Sequence, residues 1–145
     1  MDKALNYLAL ARKAGRVELG EEPVGAAARA GHAWLVLVAA DASEHTWRRA
    51  RSFVAESEQQ CLRVPFSKDE LGQAIGRMDL ALAAFTDPAL ALAFAEALGQ
   101  PEKHQGVLTA LRERTEKMRR LQQEAKAHQR NKRMGKPRRG AGMKN

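Results

Sequence analysis

Few residues in this 145-residue chain sit at spacings that could do chemistry. His32, His45, His104 and His128 are scattered, without the i, i+3 or i, i+4 spacing of a metal site. His45 lies near Asp41 and Glu44, an arrangement that caps a helix more often than it binds a metal. Cys61 is the single cysteine, which excludes an internal disulfide and a thiolate cage, and beside Leu62 it reads as a small buried hydrophobe. There is no P-loop, no G-x-G-x-x-G after a strand and no G-x-S-x-G. The chain is therefore read as non-enzymatic, with no cofactor and no metal.

Three features remain as candidate binding chemistry. The first is Gly20-Glu21-Glu22-Pro23 at a helix start, where free backbone amides attract anions and the two acids complement the helix dipole. Carboxylates bind phosphate poorly, but they accept hydrogen bonds from base amino groups. The second is the glycine-flanked turn Ile75-Gly76-Arg77-Met78-Asp79, whose arginine can hold a phosphate or stack on a base. The third is the distribution of charge. Residues 1–98 hold 11 Lys/Arg against 13 Asp/Glu, whereas residues 99–145 hold 14 against 4. The whole net charge of +8 thus resides in the last third, as a polyanion-binding arm or a solubilising tail.

These features need a scaffold, and the hydrophobic pattern supplies one. Asp2 caps a first helix that Gly15 stops, with Leu5 and Leu8 on one face. Val17–Leu19 alternates as a short edge strand, and a second helix runs from Glu21 to Ala30. Pro23 is tolerated there because the first turn has no intrahelical donor to lose. The unbroken apolar run Trp34–Ala40 predicts a central strand covered on both faces. Ser43 opens a third helix expected to end near Gln60, followed by a strand over Leu62–Pro65. Ser67 and Glu70 have capping-box spacing for a fourth helix, Ala81–Thr86 is a further buried strand, and Asp87-Pro88 opens a fifth helix. Alternating helices and short strands predict an α/β fold, a three-layer α/β/α sandwich with a small central sheet over residues 1–98. Residues 99–106 read as a linker, 107–129 as a basic amphipathic helix and 130–145 as a disordered basic tail. No apolar run approaches the length of a membrane span, and a soluble, cytoplasmic protein is expected.

In order and spacing, GEEPVGAAARAGHAWLVLVAADAS, VPFSKDELGQAIGR and ALAAFTD resemble the kink-turn RNA-binding superfamily named for the large-subunit ribosomal proteins seven-Ae and thirty-e. LALARKAGRVELGEE and AIGR resemble its bacterial YlxQ-type branch, and the resemblance covers residues 1 to about 98. It implies a fold that places the start of the second helix in the kink of a structured RNA. There a Gly-x-Asn-Glu-x-x-Lys segment reads sheared G·A pairs, and a later hydrophobic loop holds flipped-out bases. Gly20 matches the glycine, Glu22 stands at the asparagine, Pro23 at the glutamate and Ala26 at the lysine. The loop falls on Ile75, Gly76, Arg77 and Met78 with Asp79.

The expected RNA contacts are therefore Gly20, Glu21, Glu22 and Arg29 on the second helix, with Lys13 and Arg16 flanking it. The loop adds Ile75, Gly76, Arg77 and Met78, and the tail adds Lys132, Arg133, Lys136, Arg138 and Arg139. The expected partner is structured RNA, ribosomal RNA among the candidates, with ribosome or translation-factor proteins as further candidate partners and no membrane. An alternative stays open: a protein-interaction module of the translation or transcription machinery that has lost specific kink-turn recognition. A third possibility, an accessory domain preceding an RNA methyltransferase domain, is not expected, since only 47 residues follow the core.

Overall fold

A computed structural model of the chain describes residues 2–133, which fall into two units divided between Arg112 and Glu113. The first contains α1 (Lys3–Ala14), β1 (Val17–Leu19), α2 (Glu21–Arg29), β2 (Leu35–Val38), α3 (Glu44–Val54), β3 (Gln60–Arg63), α4 (Lys68–Ala74), β4 (Leu82–Phe85) and α5 (Pro88–Ala97). It also holds the first two turns of α6 (Gln105–Arg133), and the rest of that helix is the described part of the second unit.

The four strands form one mixed sheet in the order β1-β4-β2-β3. β2 and β3 are parallel, and β4 runs antiparallel to both β1 and β2. The central strands LVLV and LAAF are buried at every position, as continuous apolar runs require when helices cover both sides. α2 packs with α3 on β1, β2, β3 and β4, while α1 packs with α4 and α5 in a second group. The result is an α/β sandwich of three layers. Phe85 of β4 meets Phe94 of α5 at a ring separation of 5.2 Å, and both are fully buried. Removing such a side chain from water contributes about 2–3 kcal/mol each.

Helix starts follow the capping residues. Asp2 accepts from the Ala4 amide at 2.7 Å, Ser43 from Thr46 at 3.1 Å and Asp87 from Leu90 at 2.8 Å. Ser67 and Glu70 form a reciprocal capping box. Helix ends follow less closely. α3 stops at Val54, short of the expected Gln60, because the chain turns out of helix at Ala55 and enters the left-handed region at Glu56 (φ 57°). β3 accordingly starts at Gln60 and ends at Arg63, ahead of Pro65, which has no amide to donate to a ladder. The helix expected over 107–129 extends over Gln105–Arg133, with Leu108, Leu111 and the preceding His104 buried in the first unit. Among the described residues, no helix is long and apolar enough to cross a membrane.

One buried polar side chain holds the α3–β3 turn in place. Gln59, only 5% exposed, accepts from the Ala33 amide at 2.9 Å and donates to the Ala28 carbonyl at 3.1 Å. It thereby joins the end of α2 to the start of β2. Gln59→Leu keeps the volume but deletes both of these bonds, the Ala28 carbonyl keeping the Gly31 amide at 3.0 Å, and should cost about 1–3 kcal/mol. Urea denaturation of the full chain measures this, and a change below about 0.5 kcal/mol would mean that water replaces the amide.

Candidate nucleic-acid interface

Because β4 is antiparallel to both neighbours, the ends of β1 and β2 and the beginning of β4 converge at one end of the sheet. Leu19 lies opposite Ala83, and Val38 opposite Leu82. The Gly20 amide donates to the Leu82 carbonyl at 2.9 Å, extending the β1–β4 ladder by one bond before α2 begins. Gly20 adopts φ 96° and ψ 165°, a conformation open essentially to glycine alone. The expected reading turn, Gly20–Pro23, and the segment leading from Ile75 into β4 are thus at the same end of the sheet.

The first turn of α2 has an unusual inventory of donors and acceptors. Gly20 carries no side-chain cap, its own amide is used by Leu82, and Pro23 has none. The amides of Glu21 and Glu22 remain without a protein acceptor among the described residues. The Glu21 carboxylate is ion-paired to Nε of Arg49 on α3, whose guanidinium also lies 5.4 Å from the Phe53 ring centroid. Both partners are about half exposed, so the pair contributes well under about 1 kcal/mol to stability. Its main consequence is orientation, since it draws Glu21 toward α3. Glu22 is exposed and makes no ion pair among the described residues, leaving it as the available carboxylate of the turn.

The loop after α4 is held by a close backbone approach. A Cβ on Gly72 would fall 2.7 Å from Cα and 2.8 Å from N of Asp79. The Arg77 amide donates to the Gly72 carbonyl at 2.8 Å and the Leu80 amide to Lys68 at 3.0 Å. Gly76 takes φ 76°. Ile75 is turned inward and 8% exposed, so it anchors the loop rather than forming its tip. Arg77 is exposed, and Met78 is 93% exposed, an apolar tip beside a cation.

The remaining candidates lie elsewhere. Lys13 is in the last turn of α1 and Arg29 in the last turn of α2, about 13 Å along that nine-residue helix from Gly20. The Arg16 carbonyl accepts from Thr86 at 2.9 Å, at the opposite end of β1 and β4 from Gly20 and Leu82. Arg16 does line an open groove of about 540 Å³ with Glu18, Pro23, Ala26 and His32. Lys132 and Arg133 are exposed on the last turn of α6 in the second unit, while Lys136, Arg138 and Arg139 lie outside the described residues. Burial pushes the Cys61 thiol up to about 12, so it is protonated near neutrality and unsuited to nucleophilic chemistry. Among the described residues no three His, Cys, Asp or Glu side chains group as metal ligands.

Two members of this site escape sequence reasoning. Gly72, inside the helical pattern KDELGQA, carries a faint signal, because an isolated glycine in a helix often marks a close approach. Arg49 carries none, being 28 residues from the Glu21 it meets.

No family model matches the chain. The RNA-binding protein YlxQ of Enterococcus faecium is 39% identical over 75 residues, which span 52% of this chain and 72% of that protein. Among solved structures, a protein of unknown function from Bacillus halodurans C superposes with a TM-score of 0.64 at 26% identity, covering 69% of this chain and all of that one. A 15.5 kD RNA-binding protein of Giardia lamblia superposes with a TM-score of 0.56, covering 72% of this chain and 87% of that one. At 21% identity this second likeness concerns the fold.

Gly72→Ala should displace the 76–79 loop, because the atoms its Cβ meets are backbone. We expect a loss of about 1–3 kcal/mol and faster amide exchange at Arg77 and Leu80, with the central strands still protected. Unchanged exchange at these two amides would show that α4, not the loop, absorbs the strain.

Proposed function

The chain belongs to the YlxQ family of RNA-binding proteins, and from that premise we propose that it binds structured RNA of the kink-turn kind through the α2 start and the loop before β4. In this reading it is a non-catalytic, ribosome-associated or assembly factor of the cytoplasm. The observation that carries the reading is the Gly20–Leu82 hydrogen bond, which sets the first turn of α2 and the loop before β4 at one end of one rigid sheet. Contacts made by a preorganised site lose little ordering entropy on binding.

Each group has a distinct role. The amides of Glu21 and Glu22 point a helix N-terminus at the RNA. Glu22 accepts from base amino groups, Met78 covers an unstacked base, and Arg77 neutralises a nearby phosphate. Pro23 and Ala26 stand where the superfamily has a glutamate and a lysine, which removes an acceptor and a cation from the reading turn. The 14 Lys/Arg of residues 99–145 compensate with phosphate contacts that depend on charge rather than sequence. Covalent attachment makes those contacts effectively intramolecular once the core is bound.

A second reading follows from the same two substitutions. A depleted reading turn whose Glu21 is already engaged by Arg49 also fits a surface that docks a protein of the translation or transcription machinery.

Crosslinking the protein to RNA in cells, with sequencing of the crosslinked fragments, separates the two readings. Reads concentrated on one structured element are expected, whereas a flat background would favour the docking surface. In parallel, the P23E/A26K variant should bind a model kink-turn about tenfold or more tightly, one restored contact being worth about 1–3 kcal/mol. No gain in a folded variant would mean that the α2 start does not read RNA in the superfamily's manner.

A further inference from the structure

The part of α6 beyond Arg112 carries a second recognition element, distinct from the sheet end described above. Residues 113–133 contain eight Lys/Arg and three Asp/Glu. At 100° per residue the charges are not mixed evenly. Arg119, Lys126, Arg130 and Arg133 fall within a sector about 60° wide, at steps of seven, four and three residues. Glu113, Glu116 and Glu124 fall outside it, in a neighbouring sector that also holds Lys117 and Arg120. Charges there alternate in the i, i+4 manner of a solvated helix face. The four-residue row is exposed throughout and extends about 21 Å. Only its first member is compensated, Arg119 meeting Glu116 at 2.9 Å. Lys126, Arg130 and Arg133 form no ion pair among the described residues.

We propose that this row, Arg119–Lys126–Arg130–Arg133, is a phosphate-tracking face for double-helical RNA. The proposal rests on the RNA-binding reading above and adds the form of the ligand. Three observations select a duplex. A helix presents its cations at fixed intervals, which a rigid phosphate row, as in a duplex, meets without the ordering cost that a flexible strand incurs. Residues 99–145 contain no Phe, Trp or Tyr, so the segment lacks the large aromatic rings on which single-strand binding chiefly relies. Finally, double-stranded RNA is recognised chiefly through its shape and its backbone phosphates, which are the groups a row of Lys and Arg can address. The row then grips a helical stem, while the sheet end reads the irregular element that interrupts it.

The test uses the full-length chain and three probes: a plain 20-base-pair RNA duplex, a single strand of the same length and a kink-turn RNA, each titrated at several salt concentrations. Two charge-matched triple variants are compared, K126Q/R130Q/R133Q in the row and R114Q/K117Q/R120Q outside it. Glutamine keeps helix propensity, and circular dichroism checks helix content. The expected result is tighter binding of duplex than of single strand. The row variant should flatten the plot of log affinity against log salt by about two to three, and the outside variant by less than about one. Equal flattening by both variants would overturn the proposal, since charge count alone would then explain binding. A preference for single strand, or equal competition by polyglutamate, would also overturn it, the latter pointing to an acidic protein surface. If the kink-turn binds but both variants behave as the unmodified chain, the row fails and the RNA reading stands. If no probe binds, both fall.

Discussion

The ladder between β1 and β4 is the constraint from which the proposed binding end of this protein follows. β1 has only three residues, and its pairing continues one step further through the Gly20 amide to Leu82. That step stops the strand and starts α2 within a single residue. A side chain at Gly20 would have to hold φ 96°, in a region where a Cβ is strained. The same bond occupies the Gly20 amide, and Pro23 removes another, so only Glu21 and Glu22 are left with outward amides. The donor pattern at the helix start is therefore a by-product of how the strand ends.

The second boundary of the site depends on backbone contact in a similar way. The 76–79 loop approaches α4 so closely that only a glycine at position 72 fits beneath it. Ile75 closes the apolar side, and the tip is left to Arg77 and Met78. Two glycines with different duties, one conformational and one steric, hold the two halves of the surface, and each sets the position of residues proposed to contact RNA.

Patterns that depend on neighbours in sequence were legible from the chain alone. The caps Asp2, Ser43, Ser67 and Asp87 bind amides two or three residues on, and the runs around LVLV and ALAAF announce strands covered on both faces. Interactions across the fold were not. The early end of α3 follows from a turn at Glu56 and from Gln59, whose partners lie 26 and 31 residues away. The Glu21–Arg49 pair likewise joins two helices whose adjacency no local pattern encodes. Lys13, Arg16 and Glu22 are near one another in sequence, but the short intervening strand carries Arg16 to the far end of the sheet from α2's first turn.

The distribution of charge makes physical sense of a carboxylate at the surface proposed to meet RNA. A core with 13 acids and 11 bases gains little from long-range attraction, and Glu22 near a phosphate is repulsive. Such repulsion is tolerable where other residues of the chain supply the attraction, and residues 99–145, with 14 Lys/Arg against 4 Asp/Glu, carry the surplus to do so. The acidic turn can then serve discrimination: a carboxylate rewards an amino group held in the right place and penalises a phosphate in its stead. The basic helix contributes attraction that is indifferent to sequence. On the proposed reading, affinity and selectivity are in this way assigned to different parts of the chain, and each can vary without disturbing the other. A core that keeps its fold while its reading residues change, joined to a separate surplus of cations, is what that separation permits.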